Sequence, residues 1–386
     1  MPSGTGPSGP AERKSVGALQ ASTLLAISAG GEARGDYASL ARDGYADNPV
    51  AHRCVRLLAE AVAALAVEVR VDGTPDADAA MLLERPSPGR TGAELLEALA
   101  GHLCLGGEAW LRVVPIDGAA RALHAVRPDR VRVVRDRRGL TIAHEVTGEG
   151  GRTERIAHDP ERPLMTGLRL FNPLDEGRGL PPLRAAREAL ALHNRATRWN
   201  RALLDNSARP SGALVYSAGD ANMSAEQFER LKRELEEGYS GAVRAGRPLL
   251  LEGGLDWKAM SLSPRDMDFM EARNGAARDI ALALGVPPML LGIPGDNTYA
   301  NYAEANRAFV RQSVLPMAER IFAAIGATLS LHGGGDVRLR VDLDALPALA
   351  GERAELWRRV NETDVLSADE KRERLGLAPP EGEAGP

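Results

Sequence analysis

Pro173-Leu174-Asp175-Glu176-Gly177-Arg178-Gly179-Leu180-Pro181-Pro182-Leu183 divides the chain into two kinds of sequence. Upstream of it, short runs of Val, Ile and Leu alternate with turn residues, the pattern of strands. Downstream, Leu183, Ala186, Leu190, His193, Thr197 and Leu204 recur at helical spacing. Pro181 and Pro182 supply the fixed φ of a first helical turn. The pattern predicts one helix from there to about Asn206, about 40 Å long at roughly 1.5 Å per residue.

Outward on the upstream side, Asn48 before Pro49 predicts a capped helix reaching about Leu65, then a strand at Val67–Val71. Thr91 with Glu94 makes a capping box, and Gly106 or Gly107 closes that helix. Strands are expected at Ala109–Val114, Val131–Val134, Thr141–Val146 and Pro163–Leu170. Residues 47–179 therefore read as an α+β unit. Residues 1–46 lack sustained periodicity and read as a flexible arm.

Outward on the downstream side, residues 210–262 read as a small α/β insert. Its expected parts are a strand at Ala213–Tyr216, a charged helix capped by Ser224 and Gln227 and ended by Gly238, and strands at Pro248–Glu252 and Asp256–Leu262. Ser263, Pro264 and Asp266 open a second long helix over 263–286, stopped at Gly285 before Pro287-Pro288. Residues 287–301 hold a loop rich in Gly, Pro, Asp, Asn and Thr. A helix from about Tyr302 to Leu331 contains Pro316, which must kink it. A strand at Val337–Leu343 follows. Short helices at 351–362 and 367–375 end the chain, the last capped by Ser367 and Glu370 and closed by Gly376.

Composition narrows the function. With 386 residues and 44% hydrophobic side chains, the chain has material for a sizeable core. The charge balance is 48 basic against 53 acidic residues, net −5, which excludes a basic protein that coats DNA. Only 15 aromatic residues are present, so stacking on bases is not its mode of contact. Cys54 and Cys104 cannot frame a disulfide network, and each sits in an apolar helical pattern as a buried thiol. No run of about 18 apolar residues points to a membrane span. Met1–Pro10 lacks the apolar stretch of a signal peptide, and the expectation is a protein made in the cytoplasm.

Catalytic patterns are absent. There is no phosphate-binding Gly-rich loop ending in Lys, and the Gly-x-Gly-x-x-Gly at Gly4–Gly9 lies in the Gly/Ser/Pro-rich N-terminus, without the strand before it that a dinucleotide site needs. Gly238-Tyr239-Ser240-Gly241-Ala242 follows a surface helix rather than a buried strand, the wrong context for a nucleophile. His193 reads as a packing or surface residue of the long helix. Asp342 and Asp344, two apart at a strand end, are a candidate cation pair, against the plainer reading of an acidic strand terminus. No cofactor is expected.

Charge is polarised along the chain. Residues 184–209 carry six Arg against Glu188 and Asp205. Residues 110–140 carry eight Arg against three Asp, and residues 342–386 carry six bases against eleven acids. Such segregation gives separate basic and acidic surfaces.

These pieces occur in an order that resembles the portal proteins of tailed bacteriophages, the type of long-tailed phages and gene transfer agents. Asn48-Pro49-Val50-Ala51, Leu83-Glu84-Arg85-Pro86-Ser87-Pro88, Gly106-Gly107-Glu108-Ala109-Trp110 and Arg127-Pro128-Asp129-Arg130-Val131 carry the first part. The Pro173–Leu183 stretch, Arg209-Pro210-Ser211-Gly212, Gly285-Val286-Pro287-Pro288, Leu315-Pro316 and Leu366–Arg372 carry the rest. Glu108 stands where the family usually has Asn.

The resemblance implies a portal fold and a symmetric ring of about twelve subunits. Its parts are an α+β wing (47–179), stem helices at 180–209 and 263–286, and a clip at 210–262. A tunnel loop region (287–301), a kinked helix with a wing strand (302–344) and a short helical crown (345–386) follow. It implies a virion or gene transfer agent particle, assembled in a bacterial cytoplasm, with the portal at a capsid vertex. Partners are the subunit itself, the major capsid protein, the terminase large subunit, the head-tail adaptor and double-stranded DNA without sequence specificity, with no membrane. The channel loop residues are Ile293, Gly295, Asp296, Asn297, Thr298 and Tyr299. The stem residues are Arg184, Arg187, Arg195, Arg198 and Arg201, which contact phosphates transiently or pair with acids of the adjacent subunit. The clip contacts are Glu226, Glu229, Arg230, Arg233 and Glu236. The competing reading is a cytoplasmic enzyme of unrecognised class, separated from the ring by mass in solution.

Overall fold

The computed structural model describes residues 37–148, 150–205, 212–216, 226, 229–230, 233, 255–259, 269–293, 299–333 and 335–377. Its first helical segments, Tyr37–Ser39 and the π-helical Leu40–Ala46, correct the expected arm boundary. Leu40 and Gly44 are buried, and Gly44 lies so close to Leu183 that a Cβ would meet its Cδ2 at 2.6 Å. These residues have no amphipathic period to read, because the π turn breaks it.

Helix α1 (Pro49–Ala63) begins as expected. Asn48 is fully buried, and its Oδ1 accepts the N–H groups of Val50 and Ala51 at 3.0 Å each. Strand β1 (Val67–Val71) and the two-residue β2 (Thr74–Pro75) follow, then α2 (Ala77–Glu84). The last two were not apparent in the sequence. Helix α3 (Gly92–Gly106) carries the Thr91–Glu94 capping box and ends at Gly107 in the left-handed region (φ 66°).

Strands β3 (Glu108–Ile116), β4 (Ala119–Val126), β5 (Val131–Arg135), β6 (Thr141–Thr147), β7 (Thr153–Ala157) and β8 (Met165–Arg169) make two antiparallel sheets, ordered β4-β3-β8 and β5-β6-β7. β4 and β7 have no apolar run of their own. Their identity comes from pairing, Val113 with Leu123 and His144 with Ile156. The sheets meet through Trp110, Val131, Val146, Ile156 and Met165.

The Pro173–Leu183 stretch crosses the end of α3. Gly107 lies 2.3 Å from Leu180 C by the measure of an added Cβ, and a Cβ on Gly179 would sit 1.8 Å from Gly107 O. Side chains are excluded from both strands of this crossing, which explains why Gly is needed at each.

The predicted single helix is two: α4 (Pro182–Ala185) and α5 (Arg187–Asp205), interrupted at Ala186. Strands β9 (Gly212–Tyr216) and β10 (Leu255–Ala259) pair antiparallel. Helix α6 (Phe269–Ala283) ends with Val286 N–H donating to Ala281 O at 2.9 Å, around Gly285.

Helix α7 (Tyr299–Phe309) starts earlier than expected, and Val310–Val314 is π-helical before α8 (Leu315–Gly333). Pro316 thus sits at the start of a new helical segment. The π turn, with Leu315 N–H donating to Val310 O, absorbs the missing donor. Together Asn301–Gly333 is long and apolar enough to cross a membrane by length and composition alone, which the absence of an apolar run in the sequence did not suggest. Ile321, Phe322, Ile325 and Leu329 point this apolar face into the core.

Strand β11 (Val337–Val341) pairs with β1 across the length of the chain, Val67 opposite Val341. Helices α9 (Ala350–Glu362) and α10 (Ala368–Leu375) complete the described chain, with the Ser367–Glu370 box and Gly376 placed as the sequence requires. The main core joins α1, α3, β3, α6 and α8 around Leu99, Leu103, Ile280 and Ile325, all with no exposed surface.

Candidate functional site

The arginine-rich helix α5 is anchored by a buried amide cluster. Asn48 Nδ2 donates to Asn194 Oδ1 at 2.8 Å and lies 3.2 Å from His193 Nδ1. Asn194 Nδ2 donates to Asp43 O at 2.8 Å. His193 is 2% exposed, and burial followed by the Arg273 charge holds its pKa below the ordinary value. It is a packing residue. The sequence marked Asn48 as a cap only, because nothing local shows that its other face is used 146 residues away.

Leu190 and His193 are buried in α5, whereas Arg187, Arg195, Arg198 and Arg201 of α5 and Arg184 of α4 are exposed. Among the described residues Arg184, Arg187, Arg195 and Arg198 form no ion pair. Helix α5 packs beside α6, whose Ala276, Ala277 and Ile280 are buried. Small residues there let the two helices approach closely.

The base of α6 is tied to the α7–α8 junction. Ser313 Oγ donates to Gly285 O at 2.5 Å. The loop between them is only partly described. Ile293 follows a 3-10 turn at Pro288–Leu291, and Tyr299 belongs to α7 rather than to a loop. Gly295, Asp296, Asn297 and Thr298 lie outside the described residues. Of the insert residues, Glu226, Glu229, Arg230 and Arg233 are helical and exposed, while Glu236, the Ser224–Gln227 box, Pro248–Glu252 and the Gly238–Ala242 stretch lie outside.

No group of three or more His, Cys, Asp or Glu side chains is placed to hold a metal among the described residues. Asp344 instead receives Arg353 Nε and Nη2 at 2.6 and 2.8 Å and Trp357 Nε1 at 3.1 Å. The Arg353 hydrogen bond holds its carboxyl below the usual range. Asp342 Oδ1 caps the turn by accepting from Asp344 N and Ala345 N. The pair is a strand terminus bound to α9, as the plainer reading had it. Cys54 and Cys104 are buried, with thiols pushed up to about 12 by desolvation, and are not nucleophiles.

A helix pair with an open arginine face and a fixed base provides surface, not a reaction centre. Comparison with known proteins agrees. An uncharacterized protein of Rickettsia felis is 35% identical over 341 residues, 87% of this chain and 88% of that one. A chain of the virion of the native gene transfer agent particle is 46% identical, with TM-score 0.71, covering 92% of this chain and 98% of that one. A chain of the neck of the native gene transfer agent particle, computed with C12 symmetry, is 47% identical with TM-score 0.70 and the same coverage. The phage portal protein family matches residues 49–376, nearly the whole described length, and the chain therefore belongs to the phage portal protein family, a structural capsid component rather than an enzyme.

Proposed function

We propose that this chain is the portal subunit at one vertex of a gene transfer agent particle, assembled as a ring of about twelve copies that conducts double-stranded DNA. The observation that carries the reading is the likeness to the C12 neck chain, 47% identical with TM-score 0.70. In this reading residues 47–179 with β11 form the wing, α4–α5 and α6 form the stem, and 210–262 form the clip. Residues 345–386 are a short crown.

The stem arginines face the channel or the adjacent subunit, where Arg suits bidentate pairing with phosphate or carboxylate. Residues 293–300 line the narrowest part of the channel, where Asp296 in every copy repels phosphate and limits sticking. The clip meets the terminase large subunit during packaging and the head-tail adaptor afterwards. The wing is held by the major capsid protein.

Native mass measurement of the purified chain tests the ring. The expected species has about twelve times the 41.1 kDa of one chain. A stable monomer or dimer under all assembly conditions overturns the reading. In assembled rings, a channel whose constriction is formed away from 293–300 overturns the loop assignment alone.

A further inference from the structure

The basic segment of the α+β unit has no part in the stem or channel. It is concentrated on the sheet β5–β6–β7. One face of that sheet, carrying Val131, His144, Val146 and Ile156, packs on Trp110. Strand alternation turns Arg132, Val134, Ala143, Glu145, Arg155 and Ala157 to the other face.

The pairing register sets a row of charge across that outer face. Arg132 lies opposite Glu145, and Glu145 lies opposite Arg155. One carboxylate serves two guanidinium groups, and it is taken: Arg132 Nε donates to Glu145 Oε2 at 2.9 Å. The neighbouring acids are engaged as well. Asp136 Oδ1 accepts the N–H groups of Arg138 and Leu140 at 2.8 and 2.9 Å, shaping the β5–β6 turn that presents Arg137 and Arg138. Glu154 is held by Arg112 Nη1 and Nη2 at 2.8 and 2.9 Å.

Arg137 and Arg138 at the turn and Arg155 on the outer face are all exposed, and among the described residues none of the three forms an ion pair. Arg137 and Arg138 stand at the turn end of the sheet, and Arg155 stands on the edge strand β7, opposite Glu145. A seven-residue β6 spans about 23 Å at roughly 3.3 Å per residue, a length that covers several phosphates of a duplex. Between the arginines the side chains are small, Val134, Thr153 and Ala157 around a buried Ala143. The face has no large apolar anchor of the kind that centres a protein interface. The exposed Leu140 and Ile142 sit at the turn end of β6, beside the bulge that shifts its register with β5.

We propose that the outer face of β5–β6–β7 binds the phosphate backbone of double-stranded DNA, as a surface distinct from the stem arginines. The inference rests on the portal reading, since it places the sheet on the outside of a ring that handles DNA. Contact is made through charge alone and is indifferent to sequence.

The test uses assembled rings and a relaxed closed-circular duplex, which cannot thread a closed ring and so reports outer surfaces. Unaltered rings are expected to bind it, weakening steeply with salt. The variant Arg137→Glu/Arg138→Glu/Arg155→Glu should lose at least about tenfold in affinity at low salt, and its log–log salt slope should fall by about 0.9 for each phosphate contact removed. The corresponding triple Lys variant should stay within about threefold, because Lys also neutralises phosphate. If the Glu variant misfolds, Arg138→Gln/Arg155→Gln carries the same sign with a smaller loss.

The proposal is overturned if unaltered rings ignore the circle or if ring-forming Glu variants bind it undiminished. It also fails if the Lys variant loses as much as the Glu variant. Loss of capsid incorporation with unchanged DNA binding assigns the face to an acidic protein instead. The ring's mass, measured on each sample, separates these outcomes from failure of the portal reading itself.

Discussion

The body built on α1, α3, β3 and α8 and the sheet β5–β6–β7 meet at β3, yet they bury very different side chains. The body encloses a continuous aliphatic cluster from Leu40 to Val337, with the chain's two thiols inside it. The sheet is held by five buried residues, and Trp110 among them touches polar rings: His144 at 5.1 Å, with His158 a further 5.6 Å beyond. Trp110 lies so flat on β8 that a Cβ at Gly167 would come within 2.9 Å of its ring. A thick aliphatic core resists rearrangement, whereas a thin one opens locally.

The sharpest way to break this comparison is at the crossing that joins both parts. Gly179→Ala places a Cβ 1.8 Å from Gly107 O, where only backbone surrounds it. The expected cost exceeds about 4 kcal/mol, enough to abolish cooperative unfolding in circular dichroism. A soluble variant with an unchanged melting curve would mean that the crossing is loose.

Next in size, Leu103→Ala in the body should cost about 3–5 kcal/mol and lower the global melting temperature. Ile156→Ala should cost about 2 kcal/mol and speed hydrogen exchange in 131–157 while sparing α3. Equal and global effects of the two would erase the distinction between the cores.

Much of the body was legible in sequence because its signals are local. Asn48-Pro49, Thr91 with Glu94, Gly285 and Ser367 with Glu370 each act within one helical turn, and each lies where it was read. What stayed hidden depends on distant partners. β7, Thr-Glu-Arg-Ile-Ala, has one inward apolar residue and becomes a strand only by pairing with β6. The break at Ala186 lies inside an unbroken helical period. That the arginines of α4 and α5 are exposed could be expected from charge and spacing. The amide cluster that aims them could not, since Asn48 and Asn194 approach only after folding.

The body has an acid-sensitive contact of its own. His102, on α3, is desolvated and close to Arg127, and its pKa is lowered from 6.5 to about 4. Tyr37 Oη lies 2.9 Å from its Nδ1, so the neutral ring docks the first helical segment. The unfolded chain then takes up the proton first. Stability is full above about pH 6.5 and falls as pH drops toward 4, by about 2–3 kcal/mol. His102→Gln should remove most of that slope in melting curves taken between those limits. A slope that survives the substitution would place the acid sensitivity in His144 and the thin core.

The smallest effect has the opposite sign. Glu108 opens β3 at the crossing and is 6% exposed. Burial raises its pKa more than Arg178, Arg169 and the backbone N–H of Gly179 lower it. A carboxyl with a raised folded pKa is best accommodated when protonated. Its contribution is present below the ordinary carboxylate value and is lost as pH rises through the folded one. At neutral pH the ionised group is therefore a slight burden on the native state, and its nearest cation, Arg169, stands 3.9 Å away, too far for a full hydrogen bond. Glu108→Gln keeps the shape without the charge. The expected result is a melting temperature at pH 7 equal to or slightly above that of the unaltered chain, with the two curves converging on acidification. A clear drop at neutral pH would show that the charge pairs with Arg178 strongly enough to outweigh its burial. The crossing would then be held by an ion pair as well as by its glycines.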